Sequence, residues 1–310
     1  MESTKRFYDF SVPHNKDEKV MRDMVNGLVE LGYKTIAIEQ CFDHSKKSTV
    51  KRGADIFPEP MPIESLRNEF KQQIRILQRL TIIYTEGAVT HAMTNSLNLK
   101  KYNLIAGQPK SDAALTHCCM TFGGDLITFD PKAGSKLMVN RKAYQVAIKR
   151  GMFFEIKYAP AISDSNNRKD MIKIAHNYGV RGKLKNIILS SGATQVFELR
   201  GPYDVANLAY IFGMSEDQGK NAIDKSCRQL FLHAESRRLG KTIMFVKATG
   251  PICLSDTSED DTDMNDADES NSNKLEESED STGEKNISPH SKESDDEEMS
   301  AQPNKKKKLS

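Results

Sequence analysis

The side chains with chemistry to offer sit where short apolar runs end. Asp9-Phe10-Ser11-Val12-Pro13-His14 closes the first run, and Glu39-Gln40-Cys41 the second. Lys157-Tyr158-Ala159-Pro160 closes the sixth and Ser190-Ser191-Gly192 the seventh. If these runs are parallel strands, their C-terminal ends are where a catalytic set or a metal site would form. Acids are sparse there: Asp9, Glu39, Asp130 and Glu155. Asp9 reads as a hydrogen-bond acceptor inside the fold, and His14, after Pro13, as a turn or surface residue. His44, His91, His117, His176 and His233 have no mutual spacing that would hold a metal.

Cations outnumber acids around these ends and on the helices beside them. The candidates for RNA phosphates are Lys46, Arg79, Arg150, Lys157, Arg168, Lys169, Arg200, Arg237 and Arg238. Lys47, Arg141, Lys142, Lys149 and Arg181 belong to the same basic population. A guanidinium fork pairs with phosphate oxygens bidentately, and each neutralised phosphate releases roughly 0.7–0.9 of a condensed counterion.

The 310 residues carry a formal charge of +2, which averages two unlike parts. Residues 251–310 hold 18 acids and 7 bases, a net of −11, leaving 25 acids and 38 bases, a net of +13, in 1–250. A body that basic attracts polyanions. Five cysteines, an odd number without a CxxC, fit a reduced compartment. The polar start at 1–6 cannot serve as a signal-peptide core, and no apolar run reaches the roughly 18 residues of a membrane span. Trp is absent and aromatics make up 7%, which disfavours a reader of single strands by base stacking.

Strand-like runs alternate with segments of helical period. Strands are expected at 7–12, 35–39, 80–84, 103–106, 125–129, 152–158 and 186–190, with an eighth short one at 196–199. Val20, Met24, Leu28 and Leu31 recur at helical spacing between Asn15, which with Glu18 resembles a capping box, and Gly32, a C-terminal stop. Ser111, Asn140, Asp164 and Ser215 can cap later helices, the last paired with Gln218, and Pro202 suits a first helical turn. A final helix places Ile223, Cys227, Leu230 and Ala234 on one face. Seven or eight such βα units in about 230 residues predict an α/β fold with a parallel sheet closed into a distorted (β/α) TIM-like barrel. There is no GxGxxG and no GxxxxGK[ST].

The barrel domain is expected over 1–245 and a disordered acidic, Ser-rich tail over 246–310, too poor in large apolar residues to offset its ordering entropy. Lys305, Lys306, Lys307 and Lys308 close the tail as a nuclear-import signal, so a nuclear and nucleolar location is expected. Ser258, Ser278 and Ser294 each stand beside an acid and are candidate phosphorylation sites.

With these elements in place, the segments "FYDFSVPH" at 7–14, "LGYKTIAIEQ" at 31–40, "RLTIIYTEG" at 79–87, "RGMFFEIKYAPAISDSNNR" at 150–168, "NIILSSGA" at 186–193, "RGPYDVANLAYIFGMS" at 200–215 and "CRQLFLHAESRR" at 227–238 resemble the thirty-kilodalton protein subunit family of ribonuclease P. The resemblance runs in order through 1–240. It implies a barrel related to metal-dependent phosphoesterases of the polymerase-and-histidinol-phosphatase class. Those enzymes open with Asp-x-His-x-His and carry a late Asp-x-His. Here the first pattern falls on Asp9, Ser11 and Pro13, and the second on Gly192 and Thr194. Gly and Pro offer no side-chain ligand, and Ser and Thr are poor ones. The resemblance therefore implies a non-catalytic, RNA-binding subunit that supports RNA-catalysed removal of the 5′ leader of precursor tRNA. It implies sharing with the mitochondrial-RNA-processing ribonuclease, Mg²⁺ held by the RNA, and a small ferredoxin-like subunit as protein partner. No catalytic residue and no metal are expected in the chain. The competing expectation is an active phosphoesterase with unconventional ligands Asp9, His14 and Glu39. A third makes the acidic tail the working part, as a chaperone-like segment or a shield for the basic body.

Overall fold

In the computed structural model the described residues are 6–46 and 55–240. Seven strands run parallel in the order β1 to β7: β1 Phe7–Pro13, β2 Tyr33–Asp43, β3 Arg75–Tyr84, β4 Leu104–Pro109, β5 Leu126–Ile127, β6 Phe153–Lys157 and β7 Ile187–Ser190. Each adjacent pair is joined by one or more helices on the outside, the arrangement that buries both faces of apolar, β-branched strands. The fold is the expected TIM-like barrel, nearly closed, with seven strands. Residues 196–198, within the stretch expected to form an eighth strand, make a single 3-10 turn, Val196–Glu198. Glu198 explains the difference: its carboxylate accepts from the backbone N–H groups of Thr194 and Gln195, which ties the segment into a local cap instead of a ladder.

Local chemistry sets the element ends. Ser111, Asn140, Asp164 and Ser215 each accept a backbone N–H from the first turn of the helix that follows. The first helix, Glu18–Glu30, is capped by Asp17, not by Asn15. Asn15 instead receives the Asp17 N–H and so bends the chain into the cap. Gly32 stops that helix at φ +90°, a backbone angle that suits glycine.

No ladder joins β1 to β7. The seam is held by a carboxylate, one backbone bond and one hydroxyl, Ser191 Oγ, which donates to the Ser11 carbonyl at 3.1 Å. Asp9 Oδ1 accepts the Ser11 N–H at 3.1 Å and the Ser191 N–H at 3.0 Å, and Gly192 N–H donates to the Ser11 carbonyl at 2.8 Å. Gly192 sits at φ +60°, and a Cβ there would lie 2.8 Å from the Lys157 side chain. Asp9 is thus the hydrogen-bond acceptor inside the fold that its sequence position suggested, and the bonds it accepts lie at the seam.

Two apolar cores result. The larger lies between strands and helices. The smaller fills the barrel interior toward the strand N-termini, where Leu77, Leu104, Leu126 and Phe153 meet Cys227 and Leu230 of the closing helix Lys225–Leu239. That helix is fastened by Arg237, whose guanidinium donates to both oxygens of the buried Asp125 at 2.8 and 3.0 Å. The sequence-based domain boundary near 245, the tail, its four lysines and its three serines lie outside the described residues.

Candidate functional site at the barrel mouth

Strand geometry brings the charged residues together at the other end of the interior. Alternate residues of a strand share a face. Above Leu77 therefore come Arg79 and Thr81, and above Phe153 come Glu155 and Lys157. Glu39 lies in register with Arg79 on the neighbouring strand.

Arg79 is the centre of this layer and has no solvent exposure. Its guanidinium donates bidentately across the barrel to Glu155, Nη1 to Oε1 at 2.6 Å and Nη2 to Oε2 at 2.7 Å. Nη1 also reaches the Phe10 carbonyl at 2.8 Å, Nε the Thr81 hydroxyl at 3.2 Å, and Nη2 lies 3.1 Å from Glu39 Oε1. Glu39 accepts further bonds from Ser11 Oγ at 2.7 Å, Thr81 Oγ1 at 2.5 Å and Lys157 Nζ at 2.9 and 3.1 Å. Lys157, with 15% of its side chain exposed, is the cluster's contact with solvent.

Burial alone would raise both carboxyls. Arg79 and Lys157 outweigh it at Glu39 and hold that carboxyl well below its ordinary range. Arg79 does the same for Glu155. Both are carboxylates, so two cations and two anions cancel. Every Glu39 oxygen is occupied by donors, and the Asp9 oxygen that does bond is committed to the seam. Burial pushes the Asp9 carboxyl up. Among the described residues, no three His, Cys, Asp or Glu side chains gather to hold a metal ion. The unconventional set Asp9, His14 and Glu39 is not brought together as a metal-holding group: Glu39 is in the charged layer, whereas His14 Nδ1 is buried without a hydrogen-bond partner among the described residues. A divalent ion at this mouth would have to displace the ammonium and guanidinium already there.

The other cations proposed for RNA fall into three groups. Arg79 is corrected outright, because a fully buried side chain cannot meet RNA. Several arginines are spent on the fold. Arg150 donates to the carbonyls of Cys119, at 3.0 Å, and Phe122, just beyond the helix Asp112–Met120. Arg168 Nε caps the short helix Ala159–Ser163 through the Ala161 carbonyl at 2.7 Å. Arg200 Nη1 donates to Phe197 and Leu199, both at 2.7 Å, and Arg237 holds Asp125. Arg238 pairs with Glu235 at 3.4 Å. Among the described residues Lys46, Arg168 and Lys169 are the members of the nine that are exposed and without an ion pair, and Arg168 already donates to the Ala161 carbonyl.

Sequence reasoning missed the charged layer as a unit. The available signal was a period of two: Glu39, Arg79 with Thr81, and Glu155 with Lys157 interrupt apolar strands on one parity, which marks an interior polar layer.

Comparison with known proteins agrees with this architecture. The family model described as RNase P subunit p30 matches residues 6–239. The Ribonuclease P protein subunit p30 of Mus musculus is 35% identical over 239 residues, covering 75% of this chain and 87% of that one. The Ribonuclease P/MRP protein subunit of Saccharomyces cerevisiae is 23% identical over 243 residues, covering 74% and 80%. A chain in a cryo-EM structure of archaeal ribonuclease P with mature tRNA shares the fold, with a TM-score of 0.56 at 10% identity over 78% of this chain and 99% of that chain. A barrel whose mouth is neutral and filled, matched by the family model across nearly all of its described length, leads to one assignment: the chain belongs to the RNase P subunit p30 family.

Proposed function

We propose that this chain is a non-catalytic, RNA-binding protein subunit of ribonuclease P. It supports removal of the 5′ leader of precursor tRNA by an RNA catalyst and is shared with the ribonuclease that processes ribosomal RNA precursors. The observation that carries the non-catalytic part is the filled mouth: Arg79 and Lys157 neutralise the carboxylates that a metal-dependent hydrolase would need free. The family match and its named relatives support the ribonuclease P assignment.

In this reading the catalytic Mg²⁺ belongs to the RNA, and the protein contributes positive charge and shape. Its protein neighbours include a small ferredoxin-like subunit. The four-lysine run at 305–308 supports nuclear and nucleolar placement, and phosphate on Ser258, Ser278 or Ser294 would add about 1.5–2 negative charges each to the acidic tail.

The purified chain is expected to cleave no precursor tRNA with Mg²⁺ or Mn²⁺, and to capture ribonuclease P RNA from nuclear extract. Absence of that RNA at moderate salt overturns the proposal. Metal-dependent phosphatase turnover that is lost in Asp9→Ala would restore the phosphoesterase reading.

A further inference from the structure

The positive charge of the body is concentrated in one stretch. Residues 131–185 hold 13 cations and 3 acids, a net of +10 out of the +13 carried by 1–250. Glu155 and Lys157 both belong to the charged layer at the mouth, so setting them aside leaves 12 cations and 2 acids, the same net of +10.

The helix Ser165–Gly182 displays much of it. Lys169, Lys173, His176 and Val180 recur at intervals of four, three and four, one stripe of an α-helix, and all are exposed. Lys183 follows just past the helix end, and Lys136 extends the surface from the segment packed alongside, where Asn177 donates to the Leu137 carbonyl at 3.3 Å. Unlike the mouth, this surface has almost no internal partners. Among the described residues its one ion pair is Lys173 with Asp170, a distant 3.8 Å with 67% of the lysine side chain exposed.

A second observation points to an anion. Between the helix and the 134–138 segment lies a cavity of about 430 Å³, lined in part by Lys173, His176 and Arg181. The Arg181 Nε–H is buried and has no acceptor among the described residues. A buried guanidinium donor without a partner is costly, and an anionic oxygen entering the cavity would satisfy it.

We propose that this face is the docking surface for the phosphate backbone of duplex RNA, with Lys136, Lys169, Lys173, Lys183 and Arg181 as the contacting cations. The inference rests on the RNA-subunit reading and assigns it a surface. Duplex is favoured over single strand because all five Phe and Tyr side chains of 131–185 (Tyr144, Phe153, Phe154, Tyr158 and Tyr178) are buried, which leaves the single imidazole of His176 and no row of rings on which successive unpaired bases could stack. Lysines on a rigid helix suit a regular ladder of phosphates, which they read without sequence preference.

The test is the affinity of the full chain for a duplex RNA hairpin as a function of salt. The triple variant Lys136→Gln/Lys169→Gln/Lys173→Gln is compared with Lys16→Gln/Lys19→Gln/Lys34→Gln, which removes the same charge from exposed lysines elsewhere. The first is expected to bind at least about tenfold more weakly at physiological salt, and its log–log salt slope to flatten by about 2–3. The second is expected to change far less. Equal losses in both variants would mean that net charge alone attracts RNA, and would overturn the face. An unchanged first variant would overturn it while leaving the subunit function standing, and crosslinks from Lys169 or Lys173 to residues 251–304 would then assign the surface to the acidic tail. No RNA binding by the wild-type chain would overturn both proposals.

Discussion

The barrel mouth and the Ser165–Gly182 face are both rich in cations, and they use them in opposite ways. At the mouth, Arg79 and Lys157 are buried or nearly so and meet two carboxylates, giving no net charge. On the helix face, lysines stand in water with one distant acid among them. A charge that is fully partnered inside the fold specifies geometry, and a charge left unpartnered outside it is available to a polyanion. The count of basic residues is the same evidence in both places, and burial decides what it means.

The sharpest way to break this contrast is Arg79→Met, which strands the buried Glu155 and leaves Glu39 with Lys157 as its one cation. We expect a loss of about 3–5 kcal/mol in denaturant unfolding. Adding Glu155→Leu should recover much of it, because an apolar pair needs no compensation. Survival of Arg79→Met at wild-type stability would show that the charged layer does not hold the barrel.

Acid should act on the same layer. The folded state holds Glu39 and Glu155 below their ordinary value near 4.5. Their contribution is complete above that value and is lost as pH falls through the lower, folded-state values. Wild-type unfolding midpoints should therefore drop progressively below about pH 4.5. In Arg79→Met the sign reverses, because burial without the guanidinium raises Glu155, and the variant should gain on wild type as pH falls. Parallel pH curves for the two proteins would contradict this.

A smaller loss is expected from Arg237→Ala, about 2 kcal/mol, since the buried Asp125 keeps its Ile105 N–H partner at 2.8 Å. The salt slope of RNA binding should not move, which separates an arginine that fastens a helix from one that touches phosphate. The smallest effect on stability belongs to the Lys136/Lys169/Lys173 triple, within about 0.5 kcal/mol by thermal unfolding. A large loss there would mean that those lysines are structural after all.

Much of the fold was legible in advance for identifiable reasons. Parallel strands covered on both faces are short apolar runs, so β1 and β4 to β7 stood out. Caps are local, so Ser111, Asn140, Asp164 and Ser215 could be read from their neighbours. Asp9 was read correctly because a lone carboxylate within an apolar strand has to find donors nearby. The site was harder. Arg79 and Glu155 are 76 residues apart in the chain and meet only because the sheet curls, which no local pattern records. Arginine was favoured for RNA because its fork suits phosphate, yet the same fork suits helix-end carbonyls, and Arg150, Arg168 and Arg200 are used that way. The unremarkable lysines of the exposed stripe carried less chemical signature and more free charge.

The closing helix Lys225–Leu239 has a consequence for biosynthesis. Leu77, Leu104, Leu126 and Phe153 emerge from the ribosome long before Cys227, Leu230 and Arg237, which cover them. Until that last segment is translated, the cylinder has an open, greasy floor. A nascent chain stalled short of residue 225 is thus a natural client for chaperones, and completion of the domain waits on the last helix of its fold.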